Sequence, residues 1–189
     1  PDQLSDCVWR VKTDHKVENW LNVVNVLRVS VTSDGRVVML IWTDVQGSGD
    51  SLTWRGRVEV YSAPGGVKLS IIKLPNNIIK PWCVVQTANK SFIVSHGDFR
   101  FTELSRVCEV DNEGNIVTSY GGPPGSGLRQ LDCPAYIVLD SEERIIVADS
   151  FNRRVLLLDR QLNIQRVLLT WSRDKPGSLY YNKVTAEVI

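Results

Sequence analysis

The sequence predicts an all-β fold assembled from repeated four-stranded antiparallel units, and three observations carry that prediction. Short apolar runs rich in Val, Ile, Leu, Tyr and Trp, each bounded by Gly, Asn, Asp or Pro, recur along the whole chain, which is the pattern of strands joined by tight turns. Segments starting at Val29, Pro81 and Pro134 share one grammar: two apolar runs around a turn, a polar loop, an Arg-Val pair opening a third run, then a second turn and a fourth run. No stretch has a useful length of amphipathic helical period; "VENWLNVVNVL" comes nearest, and its β-branched and Asn content favours a strand entry. Four antiparallel strands repeating at a near-constant period are the blade pattern of a β-propeller.

Taken in order, "CVWRVKT" reads as an outer strand of a preceding blade. The first blade, with that strand, covers residues 7–74, the second 75–120 and the third 128–170, and a fourth begins at 176–189. The inner turns are Ser33-Asp34-Gly35, Thr87 to Lys90 and Ser141 to Glu143; the outer turns are Pro64 to Gly66, Asn112 to Gly114 and Arg160-Gln161. Each set supplies residues that tolerate turn geometry. The third runs open at Val58, Val107 and Val155, 49 and 48 residues apart. The polar loop between second and third strands absorbs the length variation, as stacked units allow. "GGPPGSG", Gly121 to Gly127, lacks a Lys-Ser/Thr ending and a following helix, so it is a linker between blades and not a phosphate loop.

The chain has 189 residues, a net charge of +1, 43% hydrophobic and 23% charged residues. That is enough for one domain with a core. The weak overall field argues against strong nonspecific attraction to nucleic acid or to an anionic membrane. No run of 18 apolar residues is present, so no transmembrane helix is expected. The first residues carry neither an apolar leader nor an initiator Met, so the chain is expected to be cut from a longer one. Cys7, Cys83, Cys108 and Cys133 form no C-x-x-C pair, and three of them adjoin Val in strand-like runs. They read as reduced, buried small hydrophobes. The triplet Asn89-Lys90-Ser91 fits a glycosylation pattern that arises readily by chance.

The third unit, "LDCPAYIVLDSEERIIVADSFNRRVLLLD", resembles an NHL repeat at Pro134, Asp140, Val147-Ala148-Asp149, Asn152, Arg154-Val155 and Asp159. The second unit departs from it, with Ser95-His96 in place of Ala-Asp, and the first departs further. The resemblance implies a partial NHL-type β-propeller of about three and a half four-stranded blades, where the family usually closes with about six. It also implies a part in a tripartite-motif ubiquitin ligase, whose RING, B-box and coiled-coil segments would lie upstream. Open blade edges would favour self-association.

The polar loops hold the candidate sites. Arg57, Arg106 and Arg154 recur at the head of the third strand, preceded by Asp44, Asp98 and Asp149. Arg–carboxylate clamps across the hairpin mouth account for that pattern, with a partial ring of Arg on one face, able to meet phosphate or carboxylate, as the alternative. Trp42, Arg55, His96, Phe99, Arg100, Phe151 and Arg153 would then share one face, with basic residues interleaved among aromatics. Alternation turns Arg153 away from Arg154. Such a face is expected to recruit a protein partner, with single-stranded RNA as the alternative. A metal-dependent lyase or hydrolase is a third reading. Amidating lyases on similar propellers hold a metal with several histidines, whereas this chain has only His15 and His96, in unrelated contexts. No cofactor, metal or catalytic set is expected, no membrane partner either, and the cytoplasm is the expected location.

Overall fold

The computed structural model describes residues 7–47, 53–97 and 104–188, without the side chains of Asp44 and Gln46. All its regular elements are strands. A two-stranded sheet, β1 (Val8–Val11) and β2 (Val17–Leu21), comes first. The "VENWLNVVNVL" stretch thus supplies β2 and the start of β3. Blade 1 is β3 (Val26–Val31), β4 (Arg36–Gln46), β5 (Thr53–Ser62) and β6 (Lys68–Lys73). Blade 2 is β7 (Pro81–Gln86), β8 (Phe92–His96), β9 (Ser105–Val110) and β10 (Ile116–Gly122). Blade 3 is β11 (Pro134–Leu139), β12 (Ile145–Asp149), β13 (Arg154–Leu158) and β14 (Ile164–Thr170). A final pair, β15 (Tyr181–Asn182) and β16 (Glu187–Val188), follows. Each blade is an antiparallel meander in chain order. This is a partial β-propeller.

Burial follows strand position. In blade 3 the second strand is buried at every residue, the third at all but Arg154, and the outermost is exposed except at the half-buried Ile164 and Leu168. A middle strand is covered on both faces by neighbouring sheets, which is why "IIVAD" and "RVLLL" read as continuous apolar runs and not as alternating ones. Alternation decides which interface each residue enters. On β4, Val37, Met39 and Ile41 face the β1–β2 hairpin with Trp20 and Leu21. Val38 and Leu40 face blade 2 and meet Val84, Phe92 and Val94. Ile93, Val107 and Tyr120 turn to blade 3, onto Ile137, Val147 and Leu156. Ile146, Ala148 and Leu157 pack on Leu179, Tyr181 and Val188. The core is a stack of interfaces between sheets.

The tight turns are built alike. Thr32, Thr87, Asp111, Asp140 and Asp159 each accept a backbone bond from the residue three positions on and donate their own amide to the residue four positions on. That third residue sits in the left-handed region: Gly35, Lys90, Gly114, Glu143 and Leu162. The Thr32 and Asp side chains also accept from nearby amides, for example Asp140 from Glu142 and Arg144 at 2.9 Å each. Local side-chain capping of this kind holds the turn geometry even where the third residue is not Gly. Gly121 meets a stricter requirement. Its φ is +109°, and a Cβ there would stand 2.3 Å from the Ser105 carbonyl oxygen. The four cysteines are free thiols, with Cys83, Cys108 and Cys133 buried and Cys7 half-buried.

Candidate functional site

In each blade the second-to-third-strand loop and the outgoing linker leave from the same end, and in blade 3 hydrogen bonds weld them together. Asp149 ends β12 with no exposed surface and faces Arg154 across the sheet. Its Oδ2 accepts from Arg154 Nε at 2.7 Å and Asn152 Nδ2 at 2.8 Å, and its Oδ1 accepts from the Asp132 amide at 2.6 Å. Burial pushes the Asp149 pKa up, against these bonds and the Arg154 charge that pull it down. Arg154 donates onward to the carbonyls of Ser126 and Gln130, at 2.9 and 2.8 Å. Asn152 reaches the Gly125 carbonyl at 2.7 Å. On the other side, Ser150 Oγ donates to the Pro176 carbonyl at 2.6 Å, and the Trp171 amide donates to the Arg153 carbonyl at 2.8 Å. The polar centre of "ADSFNRRV" is therefore the knot that fixes the linkers before and after the blade.

The other two blades tie this position differently. In blade 2, His96 faces Arg106 where Asp149 faces Arg154. The expected partner Asp98 lies outside the described residues, and the buried Arg106 Nε finds no hydrogen-bond partner among the described residues. In blade 1 the equivalent pair is Ile41 and Arg57. An apolar Ile41 cannot clamp, so Arg57 turns along its own strand to Glu59, 2.6 Å from Nε. Glu59 also takes Lys68 at 2.8 Å and the Tyr61 hydroxyl. The Asp44 side chain lies outside the described residues.

The candidate binding residues divide. His96 is 2% exposed, so it does not belong to an accessible face. Its position at the end of a middle strand turns it into the interface with blade 1. There its Nε2 lies 3.5 Å from Cys108 Sγ, and Nδ1 has no partner. Burial, with Arg106 adding to it, lowers the His96 pKa to about 4. Desolvation likewise raises the Cys108 thiol to about 12. Arg55 is half-buried, and its guanidinium donates to the Asn76 carbonyl. Trp42 is half-buried at a β-bulge. Trp54 packs edge-on against Trp82 at 5.3 Å. Phe99 and Arg100 lie outside the described residues. Phe151 is half-buried, with Lys175 Nζ 3.5 Å above its ring centroid. Arg153 is exposed and reaches only the Ser172 carbonyl at 3.4 Å.

Sequence reasoning passed over the linker residues that complete this surface. Leu128 is 84% exposed, Trp171 is 38% exposed, and Arg129 and Lys175 are exposed. They stand in segments the Asp149 knot holds, and their only sequence signal is apolar or basic character inside a Gly/Pro-rich linker. Among the described residues no group of three or more His, Cys, Asp or Glu is placed to hold a metal ion.

No protein-family model matches the sequence, and no curated protein matches it. Solved structures do resemble the fold. A protein of unknown function from Bacteroides caccae superimposes with a TM-score of 0.60 at 12% identity, over 87% of this chain and 54% of that one. A catalytically inactive virginiamycin B lyase from Staphylococcus aureus, crystallised with quinupristin, gives 0.53 at 15% identity, over 85% and 48%. A streptogramin B lyase gives 0.54 at 16% identity, over 85% and 47%. The chain spans about half the length of each. At these identities the likeness shows a shared β-propeller fold, with no reach to activity.

Proposed function

We propose that this chain is a non-catalytic recognition module that recruits a protein partner through the loop end centred on blade 3. One observation carries the reading: Leu128, Arg129, Phe151, Arg153, Trp171 and Lys175 crown a frame that the buried Asp149 knot has already fixed. Pre-organised apolar and aromatic side chains ringed by cations are the composition of a binding hot spot. The excess of basic groups favours a partner segment carrying Asp or Glu. RNA ranks second. The net charge is only +1, and Lys175 covers the Phe151 ring face on which a base would stack.

The parent protein, on the NHL-like motif of the third unit, is a tripartite-motif-type ubiquitin ligase with this segment as its substrate-recruiting part. Four free thiols suit a reducing compartment such as the cytoplasm. A metal-dependent lyase is a remoter reading, and elemental analysis of the purified chain tests it.

Selection of a random peptide library on the immobilised chain tests the main reading, beside an Arg153→Ala/Trp171→Ala variant and a randomised short RNA pool at two salt concentrations. Acidic peptides that bind the natural chain and lose about tenfold or more on the variant are expected. Saturable, salt-sensitive RNA binding without peptide enrichment overturns it in favour of RNA.

A further inference from the structure

A second concave surface lies away from the loop end. The inner strands β3, β7 and β11, with the segment around β15, line a groove of about 970 Å³. That is the size of a small-molecule site. Arg28 of blade 1 reaches across blade 2 and lies 5.0 Å from the ring centroid of Tyr136 in blade 3. Its hydrogen bonding is poor for a half-buried guanidinium. Nη1 makes one long contact to the Leu27 carbonyl at 3.4 Å, and the buried Nε has no acceptor. Among the described residues no carboxylate stands within 4.0 Å of it.

The rest of the groove does not balance this charge. Its carboxylates are Asp34, Asp140 and Glu143. Asp34 is held by Arg36 at 2.8 Å, Asp140 by Arg144 at 2.6 Å, and Glu143 by the Ala88 amide. Arg160 spends its Nε on the Glu142 carbonyl at 2.7 Å, and Lys183 in the lining has no carboxylate partner among the described residues. Counting Arg28, Arg36, Arg160 and Lys183 against the three carboxylates leaves the lining at 4 − 3 = +1. A half-buried cation without a counter-charge is costly, and an entering anion removes that cost.

We infer that the groove binds a small organic carboxylate with an apolar or aromatic body, its carboxylate on Arg28 and its body against Tyr136. The fork of Arg fits a carboxylate in two parallel bonds. A surplus of one charge suits a monoanion better than a dianion. Gln86, whose buried Oε1 has no donor, offers the ligand an acceptor on the same wall. The alternative is that Arg28 is only a strap between blades 1 and 3.

The test uses the full chain and benzoate as the probe, with benzamide as its neutral counterpart and inorganic phosphate as the competing oxyanion. Nitrogen-15 NMR follows the Arg28 Nε–Hε resonance and the amides of β3, β7 and β11. Benzoate is expected to give saturable shifts at millimolar concentration, with benzamide at least about tenfold weaker. Arg28→Met keeps bulk over Tyr136 and is expected to lose binding about tenfold; Arg28→Lys keeps the charge and is expected to retain part of it. Equal shifts from benzoate and benzamide, tighter binding of phosphate, no saturable shift at all, or undiminished benzoate binding by Arg28→Met each overturn the inference. The first three readings need only the natural chain, so they stand even if Arg28→Met unfolds.

Discussion

Asp149 and His96 occupy the same place in adjacent blades, and their chemistry separates two kinds of consequence. Asp149 satisfies Arg154, Asn152 and the Asp132 amide from a fully buried position. Asp149→Ala leaves a shielded guanidinium and a linker amide without their acceptor. The expected loss is about 3–5 kcal/mol in denaturant unfolding, and a loss below 1 kcal/mol would show that the knot holds little. His96 is coupled to pH instead. Its folded pKa, about 4, lies below the ordinary value of 6.5, so the folded state prefers the neutral ring. Below pH 6.5 the unfolded chain takes up a proton that the folded chain resists. Stability is therefore full above pH 6.5 and falls progressively as pH drops towards 4, by roughly 3 kcal/mol at the limit. Unfolding curves across pH 4–7 check this, and His96→Gln is expected to flatten the slope.

At the scale of the element, strands and turns were legible and the partners of the loops were not. "IIVADSFNRRVLLLD" showed its two strands because the polar centre breaks two apolar runs, and the Arg154–Asp149 pair followed from their facing ends. In blade 2 the position facing Arg106 is His96, and Asp98, the expected partner, lies outside the described residues. Register is set by the strand ladder, and loop spacing alone does not reveal it. Arg28 sits singly inside "VLRVSV" and carries no motif; only the curvature that brings β3 near β11 makes it notable. The turns offer a direct test of their shared geometry. Lys90 is exposed with φ +71°, where Gly114 sits in the outer turn of the same blade. Lys90→Gly is expected to stabilise the chain by about 0.5–1 kcal/mol, because the left-handed strain relieved exceeds the entropy lost. Destabilisation in thermal unfolding would mean that the turn is held by contacts of the Lys90 side chain.

At the scale of the whole molecule, stability comes from sheet stacked on sheet, and the inner and outer edge strands of the blades carry exposed apolar residues. Val29 and Val31 on β3 and Leu169 on β14 are 44%, 69% and 51% exposed. Unpaired edges beside exposed apolar residues favour association. Sedimentation velocity is expected to show a mean mass that rises with concentration; a single monomeric species at all concentrations would contradict this. The ends of the blades serve different purposes in this account. The tight-turn end is closed by local capping, the inner strands form the groove proposed to accept an anion, and the loop end of blade 3 is the proposed surface for recognition. The measurement that tests this most directly is hydrogen–deuterium exchange of the chain with and without an acidic peptide selected on it. Protection concentrated at residues 125–132, 150–153 and 171–176 is expected. Protection confined to the tight turns or to β3, β7 and β11, with the loop end of blade 3 unchanged, would contradict recognition at that face.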